Sequence, residues 1–148
     1  MKKTDLAYIA GIVDAEGCIY LTKRKDSSHK RGYYYCVEVK VVNTQQWLIE
    51  YLHFNFGGGD ITKNNNTKMK NAKPLWQWHI SLRKATEFLK LILPYLHLKR
   101  AQAELCIAYH ERQQKHHWGG GNPKTKKVIA LEEADAILMH KLNKRGIE

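Results

Sequence analysis

No stretch of this chain comes near the about 18 consecutive apolar residues that a membrane-spanning helix needs. Met1 to Asp5 lead into a short mixed segment with neither an apolar core nor a cleavage site of an export signal, so a soluble, unexported chain is expected. Cysteine is scarce. Cys18, Cys36 and Cys106 are odd in number and widely spaced, which argues against a disulfide frame and fits a reducing compartment. Cys106, His110, His116 and His117 lack the second cysteine pair and the spacing of a structural zinc site, and read as an ordinary polar helix end. No internal repeat is present. Acidic residues are also in short supply, 14 against 25 Lys and Arg, and the formal charge of +11 points to a polyanionic partner. Nucleic acid is favoured over an anionic membrane surface, with charge that serves only solubility as the alternative.

What is present fits one domain. The 148 residues with 43% hydrophobic content are enough for a single core. Thr4 is placed to cap a first helix running through Val13, closed by Gly17. Alternation in Ile19 to Thr22 and in Tyr35 to Val41, around a basic turn from Arg24 to Gly32, predicts a long hairpin with one buried face. A helix of about 45–55 follows Asn43-Thr44 and stops at Gly57-Gly58-Gly59. A second hairpin starts at Asp60-Ile61-Thr62, turns between Asn64 and Asn71, and returns through Trp76, Trp78 and Ile80. Helices are expected over 83–95, broken at Pro94, then over 99–112 and about 131–142, with residues 118–127 as a loop. The order α-β-β-α-β-β-α plus two helices is an α+β layer fold. Its four-stranded antiparallel sheet carries helices on one face and leaves a polar face for solvent or a ligand.

The first helix breaks two local rules. A helix C-terminus carries negative partial charge and prefers cations, yet Asp14 and Glu16 stand there. A divalent cation, magnesium above all, would neutralise both acids and the orphan carbonyls; exposed acids at a frayed end are the alternative. The second oddity is a stripe of small residues, Ala7, Ala10 and Gly11. Glycine within a helix costs about 1 kcal/mol relative to alanine, so either a second helix crosses closely or Gly11 meets a bulky core side chain such as Trp76 or Trp78.

The run Leu6-Ala7-Tyr8-Ile9-Ala10-Gly11-Ile12-Val13-Asp14-Ala15-Glu16-Gly17-Cys18-Ile19 resembles the signature helix of LAGLIDADG homing endonucleases, with Glu where the final acid is more often Asp. The element order, Leu93-Pro94-Tyr95-Leu96-His97-Leu98-Lys99 and Leu142-Asn143-Lys144-Arg145-Gly146 extend the resemblance over nearly the whole chain. It implies a single LAGLIDADG domain over 1–148, with a core at 4–115 and a C-terminal helical extension at 119–148. One motif copy implies a homodimer, with Ala7, Ala10, Gly11 and Asp14 at the subunit contact. Also implied are double-stranded DNA as partner and a Mg²⁺-dependent, staggered double-strand cut with 3′ overhangs, Mn²⁺ substituting and Ca²⁺ binding without cleavage. Intron homing inside an organelle or an archaeal or bacterial cell follows from the same resemblance.

The resemblance assigns metal to Glu16 and the Ala15 carbonyl, and phosphate stabilisation to Lys99. Ordering of the catalytic water falls to Asn43, with Gln45 as the alternate. Water is the nucleophile, since no Ser, Cys or Tyr stands in an activating constellation. Base readout falls to alternate strand positions, because a two-stranded ribbon fits the major groove. These are Tyr20, Thr22, Arg24 and Asp26; Tyr34, Cys36, Glu38 and Lys40; Thr62 and Asn64; Gln77 and His79. Arg24 and Lys40 suit guanine, Asn64 and Gln77 adenine, and Glu38 cytosine. Lys124, Lys126, Lys127 and Lys144 are assigned to phosphates. An RNA-binding maturase, a non-cleaving DNA-binding regulator and a ribosomal-type RNA-binding domain are the rival readings; intact Glu16, Lys99 and Gly11 weigh against the first, Glu16 against the second, and the last-turn acids and small-residue stripe against the third.

Overall fold

In the computed structural model, helix α1 (Lys3–Glu16) passes into strand β1 (Gly17–Lys25) with no loop between them. Residues 1–59, 61–64, 73–115 and 123–144 are described. The direct passage depends on Gly17. Its φ of −80° is open to any residue, but a Cβ there would lie 2.6 Å from the Val13 carbonyl oxygen and 2.8 Å from the Val13 Cα. Glycine is needed for close approach and not for a left-handed turn. The helix starts at Lys3 with Lys2 as its cap, two residues before the expected cap Thr4, and the Asp5 carboxylate accepts the Lys2 backbone N–H at 3.1 Å.

Strand β2 (Tyr33–Asn43), helix α2 (Gln46–Phe56) and strands β3 (Thr62–Asn64) and β4 (Leu75–Ser81) follow. The sheet is antiparallel in the order β1-β2-β4-β3, so the inner strands of the two hairpins pair with each other. Register puts Ile19 opposite Val39, Val39 opposite Ile80, and Val41 opposite Trp78. These side chains share one face, and all are buried. Ile9 and Val13 of α1 and Ile49 and Leu52 of α2 join them in the core, with Phe88, Leu89 and Ile92 of helix α3 (Leu82–Ile92). Trp78 packs edge-on to Phe88, ring centroids 5.1 Å apart, and its indole N–H reaches the Gly57 carbonyl at 2.7 Å. Burying a side chain of that size removes a large apolar surface from water, while the N–H bond avoids an unsatisfied donor. Gly58, at φ +131°, lets the end of α2 press on β4, since a Cβ would fall 2.7 Å from the His79 carbonyl oxygen.

After α3 a 3-10 turn, Leu93–Tyr95, contains Pro94, so the helix stops at Ile92, before the proline ring can clash with it. Helix α4 (Arg100–Lys115) and helix α5 (Lys126–Leu142) complete the chain. Helix α5 begins earlier than the apolar pattern implies, because Thr125 caps it by accepting the Val128 N–H at 3.3 Å. It lies against the distal end of the β1-β2 hairpin. Buried Glu132 accepts from Arg31 and Gln113, each at 2.8 Å, and from Lys124. Tyr33 and Tyr35 donate their hydroxyls to Glu133 at 2.7 and 2.6 Å, which holds that carboxyl below the usual range. Arg112 pairs with Asp135.

One polar tie joins α1 to α4. Asp14 accepts the backbone N–H groups of His97 at 2.8 Å and Lys99 at 2.9 Å, and the Lys99 ammonium donates to the Asp14 carbonyl. Burial alone would raise the Asp14 pKa. The N–H groups of His97, Lys99 and Leu98 and the Lys99 charge outweigh it, and hold the carboxyl below its ordinary value.

Two consequences for stability can be measured by urea unfolding. Gly17→Ala is expected to cost about 2 kcal/mol, because the clash falls on backbone atoms that must shift; an unchanged midpoint would refute the close-approach account. Asp14→Asn is expected to cost about 1–3 kcal/mol at neutral pH, through loss of a charged acceptor of backbone N–H groups. A carboxyl depressed in the folded state stabilises above its unfolded pKa, near 4, and loses that contribution as pH falls through the lower folded value. The gap between wild type and Asp14→Asn should therefore close on acidification below about pH 4. A gap that stays constant down to pH 2 would contradict the tie.

Candidate active site and nucleic-acid interface

The α1-β1 junction sorts its two acids. Asp14 turns inward to the start of α4, while Glu16, the last helical residue, is exposed and has no ion-pair partner among the described residues. The helix has no basic residue in its own last turn. Lys99 supplies the missing cation from another element, half-buried, with one of its three donors on the Asp14 carbonyl. A cation is thus not needed to neutralise both acids and every carbonyl, and only Glu16 is left for one. The exposed carboxylate, beside Ala15 on the surface, is the hard oxygen donor that a magnesium-like ion takes. Among the described residues no three His, Cys, Asp or Glu side chains gather to hold a metal.

Asn43 and Gln45 leave the sheet at the same end, since Gly17 pairs with Val41. The Asn43 side-chain oxygen accepts the Gln45 backbone N–H at 2.9 Å, which turns the chain into α2 and leaves the Asn43 amide as a donor.

Helix α1 presents a bare face and a packed one. Ala10 was expected in the small-residue contact but is fully buried in the core of its own chain, so it cannot meet a partner. Ala7 and Gly11 are exposed. A Cβ at Gly11 would find nothing within 4 Å, which removes Trp76 or Trp78 as the reason for the glycine. Tyr8 is exposed nearby, and Leu98, next to the N–H groups that Asp14 holds, is 76% exposed.

The strand positions expected to read DNA do share one face. Tyr20 pairs with Glu38, Thr22 with Cys36, Arg24 with Tyr34, Lys40 with His79, and Thr62 with Gln77. Tyr20, Thr22, Tyr34, Lys40, Gln77 and His79 are half-buried, and Arg24, Thr62 and Asn64 are exposed. Four expectations need correction. Asp26 lies beyond β1 in the hairpin turn, where its carboxylate takes the Ser28 N–H at 2.9 Å and hydroxyl at 2.7 Å. Cys36 is buried, its thiol donating to the Val37 carbonyl at 3.5 Å, and burial pushes the thiol up. Glu38 is 7% exposed and already bound by Arg24, so it cannot accept from a cytosine. Lys124 is sequestered by Gln113 at 2.7 Å and by Glu132, and is not free for phosphate. Lys126, Lys127 and Lys144 stay exposed at the two ends of α5. The second hairpin's turn, His116, His117 and Trp118, and Arg145 and Gly146 lie outside the described residues. Cys106 is a core residue whose thiol burial drives up to about 12, the opposite of a zinc thiolate.

Sequence reasoning missed the acidic face of α5. Its signal was visible: Glu132, Glu133 and Asp135 concentrate three carboxylates in a basic chain.

A family model described as LAGLIDADG endonuclease matches residues 9–111. Curated protein sequences give no significant match. Among solved structures, 99% of this chain aligns with 86% of the homing endonuclease I-CvuI, in complex with the I-CreI target in 2 mM Mg with the DNA not cleaved, at 23% identity and a TM-score of 0.76. An archaeal intron-encoded homing endonuclease complexed with DNA aligns over 100% of this chain and 89% of its own, at 14% identity and a TM-score of 0.74. The LAGLIDADG homing endonuclease I-GzeII, in complex with its DNA target, aligns over 97% of this chain but only 46% of its own, at 16% identity and a TM-score of 0.63. With the family model covering most of the residues between the signature helix and the end of α4, this chain belongs to the LAGLIDADG endonuclease family.

Proposed function

We propose that this chain is a site-specific, metal-dependent DNA endonuclease that acts as a homodimer on a long pseudo-palindromic target. The observation that carries the reading is Glu16: an exposed carboxylate without a partner among the described residues, at the end of a helix whose neighbouring stripe, Ala7 and Gly11, is bare. Two such helices crossing at those residues bring two Glu16 carboxylates to one axis, and close carboxylates repel unless a cation lies between them. The length relation to I-GzeII supports the dimer, since this chain has the extent of one half of that protein. DNA in the related complexes and the charge of +11 support the substrate.

In this arrangement Glu16 and the Ala15 carbonyl hold the divalent ion together with the second copy and the target phosphate. When bound, such an ion stabilises the attacking and leaving oxygens of an in-line phosphodiester hydrolysis. The two remaining N–H donors of Lys99 face developing charge on the phosphate. The Asn43 amide, with one side occupied by Gln45, orders the attacking water as a donor. Two half-sites about one helical turn apart match a two-fold protein. The polar sheet face lies in the major groove, and exposed Lys126, Lys127 and Lys144 set affinity through phosphates.

Incubation with a randomised DNA library in Mg²⁺ and in Ca²⁺, with sequencing of cut ends, tests the activity. Wild type is expected to cut selected sites in Mg²⁺ and to bind them uncut in Ca²⁺. Glu16→Gln should keep binding and lose cutting by about 100-fold or more. Binding by wild type in both ions with cutting in neither would favour the regulator. A second prediction uses the bare helix face: a Cβ at position 11 has nothing of its own chain within 4 Å, so Gly11→Leu should still fold, with helix propensity contributing up to about 1 kcal/mol, while sedimentation shifts from dimer to monomer. A Gly11→Leu protein that still sediments as a dimer and cuts normally would take this face out of the interface.

A further inference from the structure

Most polar positions on the open sheet face look alike, as a solvated strand and as a binding surface. Arg24, Glu38 and His79 form an exception. Glu38 is a carboxylate 7% exposed in the middle of a face that this chain's charge would turn towards polyanions. Burying an ionised group there is costly unless it is closely paired. Arg24 provides the pair: its Nε donates to the Glu38 carboxylate at 2.7 Å and its Nη2 reaches the same oxygen. On the other side, His79 Nε2 lies 3.4 Å from the second Glu38 oxygen, buried and without a hydrogen bond of its own.

The register shows how far Arg24 reaches. Its Cα stands opposite Tyr34 and that of Glu38 opposite Tyr20, so the guanidinium lies back along the sheet past the Thr22-Cys36 pair, towards the Gly17 end. A guanidinium has five N–H donors in a planar fork. Glu38 takes the Nε edge. The end formed by Nη1 and the second proton of Nη2 is left over, and the side chain remains 48% exposed. That end-on pair is the geometry that meets O6 and N7 of guanine. A held fork also loses less conformational entropy on binding than a free one, and the adjacent carboxylate disfavours a phosphate as the alternative acceptor.

We infer that Glu38 is a positioning residue that aims the Arg24 guanidinium at one guanine in each half-site, displaced from the Arg24 backbone towards the centre of the target. This rests on the endonuclease reading above and assigns one base of its substrate. His79 closes the carboxylate from the other side and keeps the pair on the sheet.

The test compares DNA selected from the randomised library by wild type, Arg24→Lys and Glu38→Gln in Ca²⁺, with urea unfolding of each. Wild type is expected to select guanine at one position per half-site. Arg24→Lys keeps the charge but not the fork, and should flatten that preference by about tenfold or more. Glu38→Gln should weaken the same position and no other. If Glu38→Gln fails to fold, the surface variant Arg24→Lys still decides. A uniform loss of affinity with unchanged base preference in Arg24→Lys would make Arg24 a phosphate contact and overturn the inference while the endonuclease reading stands. Failure of wild type to select any sequence would remove that reading and this inference together.

Discussion

Lys99 donates twice to Asp14, its backbone N–H to the carboxylate and its ammonium to the backbone carbonyl. Much of the molecule hangs on this pair. It closes the C-terminus of α1, whose own last turn has no cation, and it satisfies N–H groups at the start of α4, which would otherwise be orphaned. The helix can then end with no C-terminal loop, and Gly17 lets the chain enter the sheet at once. Glu16 is left with nowhere to go but outward. A carboxylate with such a fixed base and no local partner is a rule broken at one point and compensated at its neighbours, which is how functional sites depart from otherwise consistent folds.

The sheet has a similar division of labour. Its helix-facing side is filled by Val39, Val41, Trp78 and Ile80 and fixes the register, because a slip of one residue would turn this whole set to solvent. The opposite side is held to the same register at no cost in packing. Side chains there are positioned by their strands and are free to vary in chemistry, which suits a surface that discriminates among base edges.

Helix α5 braces the part of this surface farthest from the junction. The long β1-β2 hairpin would be a two-stranded ribbon at its tip, marginal on its own. Glu132 and Glu133 bind Arg31, Tyr33 and Tyr35 from behind, while Arg24 and Tyr34 face the other way from the same strands. Buried ionic networks of this kind contribute modest net stability, but they specify one arrangement. The cost is that lysines near the network are consumed: Lys124 looks like a surface charge in sequence and is spent inside the brace.

Periodicity and residue types with strong local preferences are enough to specify the element order, the apolar face of the sheet and the motif helix. Alternation placed the strand positions on one face without any knowledge of their partners. Tertiary structure decided which of those residues are available. Ala10 and Gly11 are adjacent small residues, yet packing of α1 on the core buries one and leaves the other bare. Asp14 and Glu16 are two acids in one turn, and only the approach of α4 turns the first inward. Glu38 reads as a polar strand residue until Arg24, four residues away along the paired strand, folds back to cover it. Such outcomes depend on contacts between residues far apart in the chain, and local patterns carry no information about where a distant charge will settle.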